Sequence, residues 1–383
     1  LPTSVKNSVK MDILDSNMAF KGIFRSWLVG GLKPIGRYGN IFMIYSVFVN
    51  TIVNLIYPLS LAAQALIEDD IKVLMNNLSP TITILAFSMK HYTIFFCANH
   101  IRNVKVLLEK LDQRIVDDDE KECIDKMVKF CSWLFKVYNC MYYSATVSFV
   151  GSPLISRNRL VFAGWFPFDL EVRRNYWIAY AYQAFSTIII AILNVAIDIY
   201  PPIYMMVVTA HVKVLNLRIS KIGNVPGAAV SSQLVECVED YMNVLRLFTE
   251  ISHVIQRTLF IQFIVTGFVL CIGAVNLLFF TQHIFEIFGV IMYLGALILE
   301  VFPACVCMNR LLESSSDLTR SLYECNWVGQ DLKFQKSLII FMLRTQKKLV
   351  MLAGNIVPIG LPTFLGIVKF SFSMFTLLSQ LNK

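Results

Sequence analysis

The sequence predicts an all-α membrane protein with seven transmembrane helices, and three observations predict it. Of its 383 residues 56% are hydrophobic and 16% charged, with a mean hydropathy of +0.61, whereas a soluble domain carries about a quarter of its residues charged. Water would not solvate the surface such a chain exposes; helices in hydrocarbon satisfy their own backbone groups. The apolar residues gather into stretches that match the ~20 residues needed to cross about 30 Å of hydrocarbon. Lys and Arg collect in alternate segments between those stretches, the pattern of a chain oriented by its cytoplasmic charge.

The first stretch, 41–66, is uncharged between Arg37 and Glu68. The second, 73–98, contains Lys90 and His91, and the third is 131–153. The fourth, 178–212, is expected to break at Pro201-Pro202, because proline has no amide proton and clashes with the preceding turn. The fifth, 257–281, carries no charge after Arg257; the sixth is 284–308 and the seventh 349–381. The second and seventh are the least hydrophobic, which predicts that they face protein or water.

Seven spans put the ends on opposite sides, and loop charge chooses which. The N-terminal segment, 99–130, 211–257 and 309–348 hold 25 Lys and Arg, against 5 in 67–72, 151–177 and 282–283. The N-terminus is therefore expected in the cytoplasm and the C-terminus outside. Two cytoplasmic stretches are amphipathic at helical spacing: Leu234, Val238, Met242, Leu245 and Phe248 in 233–256, and Phe334, Leu338, Phe341 and Leu349 in 334–352. They are read as helices reaching below the membrane to pack on one another; the alternative is helices lying in the interface plane.

Several function classes fall away. The net charge of +8 sits beside apolar spans with no recognition motif, so nucleic-acid binding is not expected. Five scattered histidines without CxxC or HExxH support no metal site, and no cofactor, nucleotide-binding or nucleophile motif assembles an enzyme. None of the nine cysteines lies in an outer segment, so no extracellular disulfide is expected. The first 40 residues lack the apolar core of a signal peptide. A G-protein-coupled receptor would need the opposite orientation, and Asn355-Ile356-Val357-Pro358 lacks that family's inner-end spacing.

In the seventh span Lys369, Ser373, Thr376 and Gln380 are spaced 4, 3 and 4, which places them on one narrow helical face; Phe370, Met374, Leu378 and Leu381 lie opposite. A polar stripe inside a span must face protein or water. It either lines a pore or bonds to neighbouring helices. Lys90, Asp198 and Glu300 are further ionisable residues within spans. Lys90 is expected to pair with Asp198 or Glu300 as a structural tie, with proton transport the alternative.

The C-terminal third carries a resemblance. Ser321-Leu322-Tyr323-Glu324-Cys325-Asn326-Trp327 is followed by Phe334-Gln335-Lys336-Ser337-Leu338 and Arg344-Thr345-Gln346-Lys347. Ala353-Gly354, Thr363-Phe364 and Ser371-Phe372-Ser373-Met374-Phe375-Thr376-Leu377-Leu378 then close the chain. This series resembles the C-terminal signature of insect odorant receptors, and Gly164-Trp165-Phe166-Pro167-Phe168-Asp169 resembles the same family's outer loop. Many members have Tyr where Phe372 stands. The sister gustatory family is less similar, since Thr363-Phe364 is followed by Lys369-Phe370. The segment 213–256 is shorter than the insertion of the family's co-receptor, so the chain resembles a ligand-selective tuning subunit.

The resemblance implies a ligand-gated, non-selective cation channel subunit in the plasma membrane of a sensory neuron dendrite, assembled as a heterotetramer with the co-receptor. It implies a single domain: a cytoplasmic segment at 1–40, six spans with the ligand-binding bundle at 41–308, and an anchor helix plus pore-lining span at 309–383. Leu377, three positions before Gln380, matches the family's hydrophobic gate. The ligand would be a small volatile held in a largely apolar, aromatic pocket. With this orientation the outer halves of the spans offer Ile84, Phe87, Met141, Tyr142, Ala145, Phe149, Tyr182, Phe185, Ile189, Phe279, Phe280 and Phe288. Tyr323, Trp327, Phe334 and Arg344 would anchor neighbouring subunits. A gustatory-type channel and a secondary transporter, the latter suggested by Asp198, Glu300 and Pro201-Pro202, are the alternative readings.

Overall fold

The computed structural model describes residues 14–33, 39–155, 160–223, 230–279 and 284–381. A 3-10 turn at Ser16–Phe20, with Asp15 accepting from the Asn17 amide at its start, leads into α1 (Lys21–Val29). One face of this amphipathic pair buries Phe20, Ile23 and Trp27. The first span is α2 (Asn40–Thr51) and α3 (Tyr57–Ile67) joined by a π-helical turn at Ile52–Ile56. There the Tyr182 hydroxyl donates to the Ile52 carbonyl at 2.9 Å, the kind of extra partner that a π-bulge invites.

The second span is α4 (Ile71–Phe96), which bends by 60° at Cys97 into α5 (Ala98–Asp112). Four very long helices follow: α6 (Asp118–Ile155), α7 (Arg173–Ser220), α8 (Val230–Phe279) and α9 (Ile284–Glu324). At 1.5 Å per residue they run about 57–75 Å, roughly twice the hydrocarbon thickness. The amphipathic segment 233–256 is thus continuous with its span as one helix, and its Leu234 and Leu247 are fully enclosed. By length and composition α2–α3, α7, α8 and α9 can each cross a membrane, and the bent α4–α5 pair makes a fifth candidate. Long apolar helices make this a multi-pass membrane protein.

The expected break at Pro201-Pro202 does not occur, for α7 is one helix from Arg173 to Ser220. The two prolines remove the helix donors for the carbonyls of Ile197 and Asp198. Yet α7 is the most enclosed of the candidate spans, flanked by α1, α4, α6, α8 and α9, and packing on all sides keeps it one continuous helix. The helix in the stretch expected as the seventh span is also shorter than expected. Residues 349–360 are not helical: after α10 (Leu332–Thr345) the chain forms a two-residue hairpin, β1 (Leu352–Ala353) against β2 (Val357–Pro358), and only then α11 (Leu361–Leu381). The turn needs positive φ at Gly354 (58°) and Asn355 (62°). A side chain at Gly354 would meet the Phe260 ring at 2.6 Å, so glycine is required there by conformation and by space. All nine cysteines are free thiols.

Candidate functional site

At the centre of the bundle five helices converge on one polar knot. Lys90 of α4 is buried and its ammonium lies 2.5 Å from Asp198 Oδ1 on α7, 2.7 Å from Gln262 Oε1 on α8 and 3.5 Å from Asn194 Oδ1 on α7. Lysine only donates, so the Gln262 carboxamide must turn its oxygen to Lys90 and its nitrogen away. That nitrogen donates to Glu300 Oε2 of α9 at 2.7 Å and stands 3.1 Å from Thr266 Oγ1. The Tyr142 hydroxyl of α6 reaches both Glu300 Oε1, at 2.7 Å, and Asp198 Oδ2, at 3.1 Å. The expected pairing of Lys90 is therefore made with Asp198, and Glu300 joins through Tyr142 and Gln262. Gln262, Asn194 and Thr266 are not among the sequence-predicted residues; the signal for them is a glutamine inside the otherwise uncharged fifth apolar stretch.

The α11 helix packs on α8 and α9. Ser371 donates to the Ile367 carbonyl at 3.0 Å and lies 3.5 Å from the Gly267 carbonyl, and the Phe364 and Phe302 rings are 5.3 Å apart. Phe364, Ile367 and Ser371 lie about 160–220° round the helix from Lys369 at 100° per residue. Lys369, Ser373, Leu377 and Gln380 are exposed and Thr376 is half-exposed. A side chain at Gly366, on the same side, would meet nothing within 4 Å. The polar stripe thus points away from the chain's own bundle. Lys369 has no acidic partner among the described residues.

The residues read as a ligand lining divide. Ile84, Phe87 and Ile189 are buried, and Tyr142 and Tyr182 half-buried, inside the bundle. Tyr57 stacks edge-on to Tyr182 with centroids 6.0 Å apart. Met141, Ala145, Phe149, Phe185 and Phe279 are exposed on the outside of this single chain. Phe280 and the side chain of Phe288 lie outside the described residues. Beside them the loop before α7 is tied down. Gln183 both accepts from the Phe162 amide (3.2 Å) and donates to its carbonyl (3.0 Å), while the Trp165 amide donates to the Ser60 carbonyl (2.9 Å).

At the end of the bundle that holds α10, Phe334 is buried, Trp327 is half-buried with its indole donating to the Tyr323 carbonyl at 3.0 Å, and Tyr323 and Arg344 are exposed. A groove of about 450 Å³ runs between α8 and α10, lined by Leu234, Val238, Met242, Phe334, Ile340 and Arg344 among others. Nearby, Arg218 of α7 grips Glu120 of α6 with two bonds of 2.7 and 2.8 Å and Asp240 of α8 with one of 2.5 Å. Burial would lower the pKa of this guanidinium, but the two carboxylates outweigh it and hold the pKa above its ordinary value. Among the described residues no group of three or more His, Cys, Asp or Glu is placed to hold a metal ion.

Fold and site together define a mostly helical, multi-pass membrane protein with a polar knot inside its bundle and a polar helix face turned outward. Residues 70–372 match the profile of the 7tm Odorant receptor family. Odorant receptor 2a of Drosophila melanogaster is 30% identical over 95% of this chain and 97% of its own length. Odorant receptor 33b of the same species is 27% identical over 97% and 100%. The olfactory receptor OR5 of Machilis hrabei superposes with a TM-score of 0.84 over 94% of this chain and 97% of that one, at 16% identity. The chain belongs to the 7tm odorant receptor family, and the resemblance read from its C-terminal third holds along nearly its whole length. It is a receptor and not an enzyme.

Proposed function

We propose that this chain is the ligand-selective subunit of an odorant-gated, non-selective cation channel in the plasma membrane of a sensory neuron dendrite. It crosses the bilayer seven times, with its N-terminus in the cytoplasm, and works in a heterotetramer with the family's co-receptor. The observation that carries this reading is the outward polar stripe of α11. A lysine, a serine, a threonine and a glutamine at membrane depth are costly against lipid, and four such faces meeting round one axis would give ions a polar path. Leu377, exposed at the edge of that stripe, is then the constriction that blocks ions by dewetting. Lys369, nearer the start of α11, sits in the wider vestibule.

The ligand is a small volatile, and OR5 of Machilis hrabei, similar in fold, has been solved in complex with eugenol. Ile84, Phe87, Tyr142, Tyr182 and Ile189 form the inward-facing part of the pocket, with Met141, Ala145, Phe149, Phe185 and Phe279 towards its outer rim. The groove between α8 and α10, with Tyr323, Trp327 and Arg344 beside it, is the anchor surface for the neighbouring subunit.

Whole-cell recording tests this. Cells expressing this chain with the co-receptor should pass an inward cation current to one class of volatiles, and cells expressing either chain alone should not. Silence of the surface-expressed pair across aromatic, ester and tastant panels rejects it. A ligand-driven flux without steady single-channel conductance would instead indicate a transporter.

A further inference from the structure

The polar knot has one hydroxyl proton too few. Lys90 spends its three protons on Asp198, Gln262 and Asn194, and the Gln262 nitrogen faces Glu300 Oε2. That leaves Asp198 Oδ2, Tyr142 Oη and Glu300 Oε1 in a row, at 3.1 and 2.7 Å. Tyrosine has a single hydroxyl proton. If both carboxylates were ionised, Tyr142 could satisfy only one of them, and the knot would carry a net charge of −1 at membrane depth.

We propose that the knot holds one further proton, carried on Glu300 Oε1, so that the whole tie is neutral. Glu300 then donates to Tyr142, Tyr142 donates to Asp198, and Glu300 Oε2 remains a carbonyl oxygen that accepts from Gln262. Every polar atom in the row gains a partner of the right kind, and Lys90 and Asp198 are left as the single ion pair. The surroundings favour the neutral acid. Glu300 is half-buried, and its neighbours Leu299 and Phe302 are apolar residues, so the accessible side of α9 beside it offers no polar partner. A lone carboxylate there is strongly disfavoured.

The other titratable groups round Glu300 are already committed or add negative charge. Tyr138 of α6 donates to the Leu299 carbonyl at 2.8 Å, and Tyr293 of α9 meets Thr83 of α4 at 2.9 Å. Asp198 of α7 repels a second anion, and Lys90 of α4 is the one cation in the knot. The Phe302 ring that meets Phe364 is two residues along α9 from Glu300, and Gln262 is five residues before Gly267, which meets Ser371. Two of the contacts that α11 makes on α8 and α9 thus lie within five residues of the knot.

Infrared difference spectroscopy on the purified full chain in bilayers, at neutral pH in H2O and D2O, tests the proton directly. The expected result is the carbonyl stretch of a protonated carboxylic acid that shifts on deuteration and is removed by Glu300→Gln. No band component removed by that substitution would overturn the proposal. Thermal unfolding supplies a second reading, because a glutamine at 300 keeps a donor towards Tyr142 and an acceptor towards Gln262. Glu300→Gln should melt within about 2 °C of the parent, while Asp198→Asn melts far lower. Equal losses would mean that Glu300 is held as an anion. Neither measurement depends on whether the chain conducts ions.

Discussion

The knot round Lys90 and the open face of α11 both place polar side chains on apolar helices, yet only the first satisfies them within the chain. In the knot every charged group has a partner on another helix at 3.1 Å or less. On α11 the stripe from Lys369 to Gln380 lies opposite the helix's own packing face and is turned outward. A membrane chain tolerates intramembrane polar groups only where protein or water covers them. The knot is therefore satisfied within one chain, whereas the stripe would be covered only in the channel proposed above. The distinction is one of energetic role: removing a partner from the knot should hurt folding, and altering the stripe should hurt conduction alone.

The sharpest break of that contrast is Asp198→Asn. It leaves Lys90 buried beside a neutral amide, and an uncompensated buried charge costs about 3–5 kcal/mol. A strong fall in surface expression and in the melting temperature of the solubilised chain is expected; a parent-like melt would mean that the knot does not hold the bundle. Arg218→Met removes the partner that Glu120 and Asp240 share, leaving Asp240 with Arg114 alone. Because Arg218 keeps some contact with water, a smaller loss of about 2–3 kcal/mol is expected, read by the same melt.

Leu377→Ala tests the other side of the comparison. With half of its surface open, it should change stability by no more than about 0.5 kcal/mol while raising the resting leak or altering gating in whole-cell recordings. Unchanged gating and permeation would displace the constriction from Leu377.

The smallest effect is a pH dependence at Asp112, which accepts from the Ser16 amide at 2.7 Å and from its hydroxyl at 2.6 Å, with His211 3.8 Å away. Burial raises this carboxyl to about 6, with Asp15 and Glu109 adding to the rise and the Ser16 bonds opposing it. The folded chain then binds the proton more tightly than the unfolded chain, so Asp112 makes folding less favourable above about pH 6 and the penalty fades as pH falls towards 4. Asp112→Asn should protect the 14–29 amides from hydrogen exchange slightly better than the parent at pH 7, and that advantage should shrink towards pH 5.

Much of this architecture was legible in the residues because it depends on local transfer free energy and helical period. The apolar runs marked the helices, the helical spacing from Leu234 to Phe248 marked a helix that the structure makes continuous with its apolar stretch, and Lys369, Ser373, Thr376 and Gln380 declared a single face. Other features were not legible. Pro201-Pro202 read as a break, and only the helices wrapped round α7 explain why it is none. Residues 349–360 read as the start of a span because Val350, Met351, Leu352 and Ala353 are apolar; the hairpin depends on Gly354 meeting Phe260, 94 residues away. Of the aromatic and aliphatic residues taken as a lining, the periodicity of α6 did not reveal that Met141, Ala145 and Phe149 face outward while Tyr142 faces the knot.

The sequence by itself determined that this chain lives in a membrane, which family it belongs to, and which face of its last helix is polar, since hydropathy, motif order and period are properties of neighbours along the chain. Only the tertiary structure decided that Lys90 pairs with Asp198, that Gln262 bridges to Glu300 and that the stripe of α11 turns away from its own bundle. Those are choices between groups separated by many residues in sequence and a few ångströms in space, and the geometry of packing makes them.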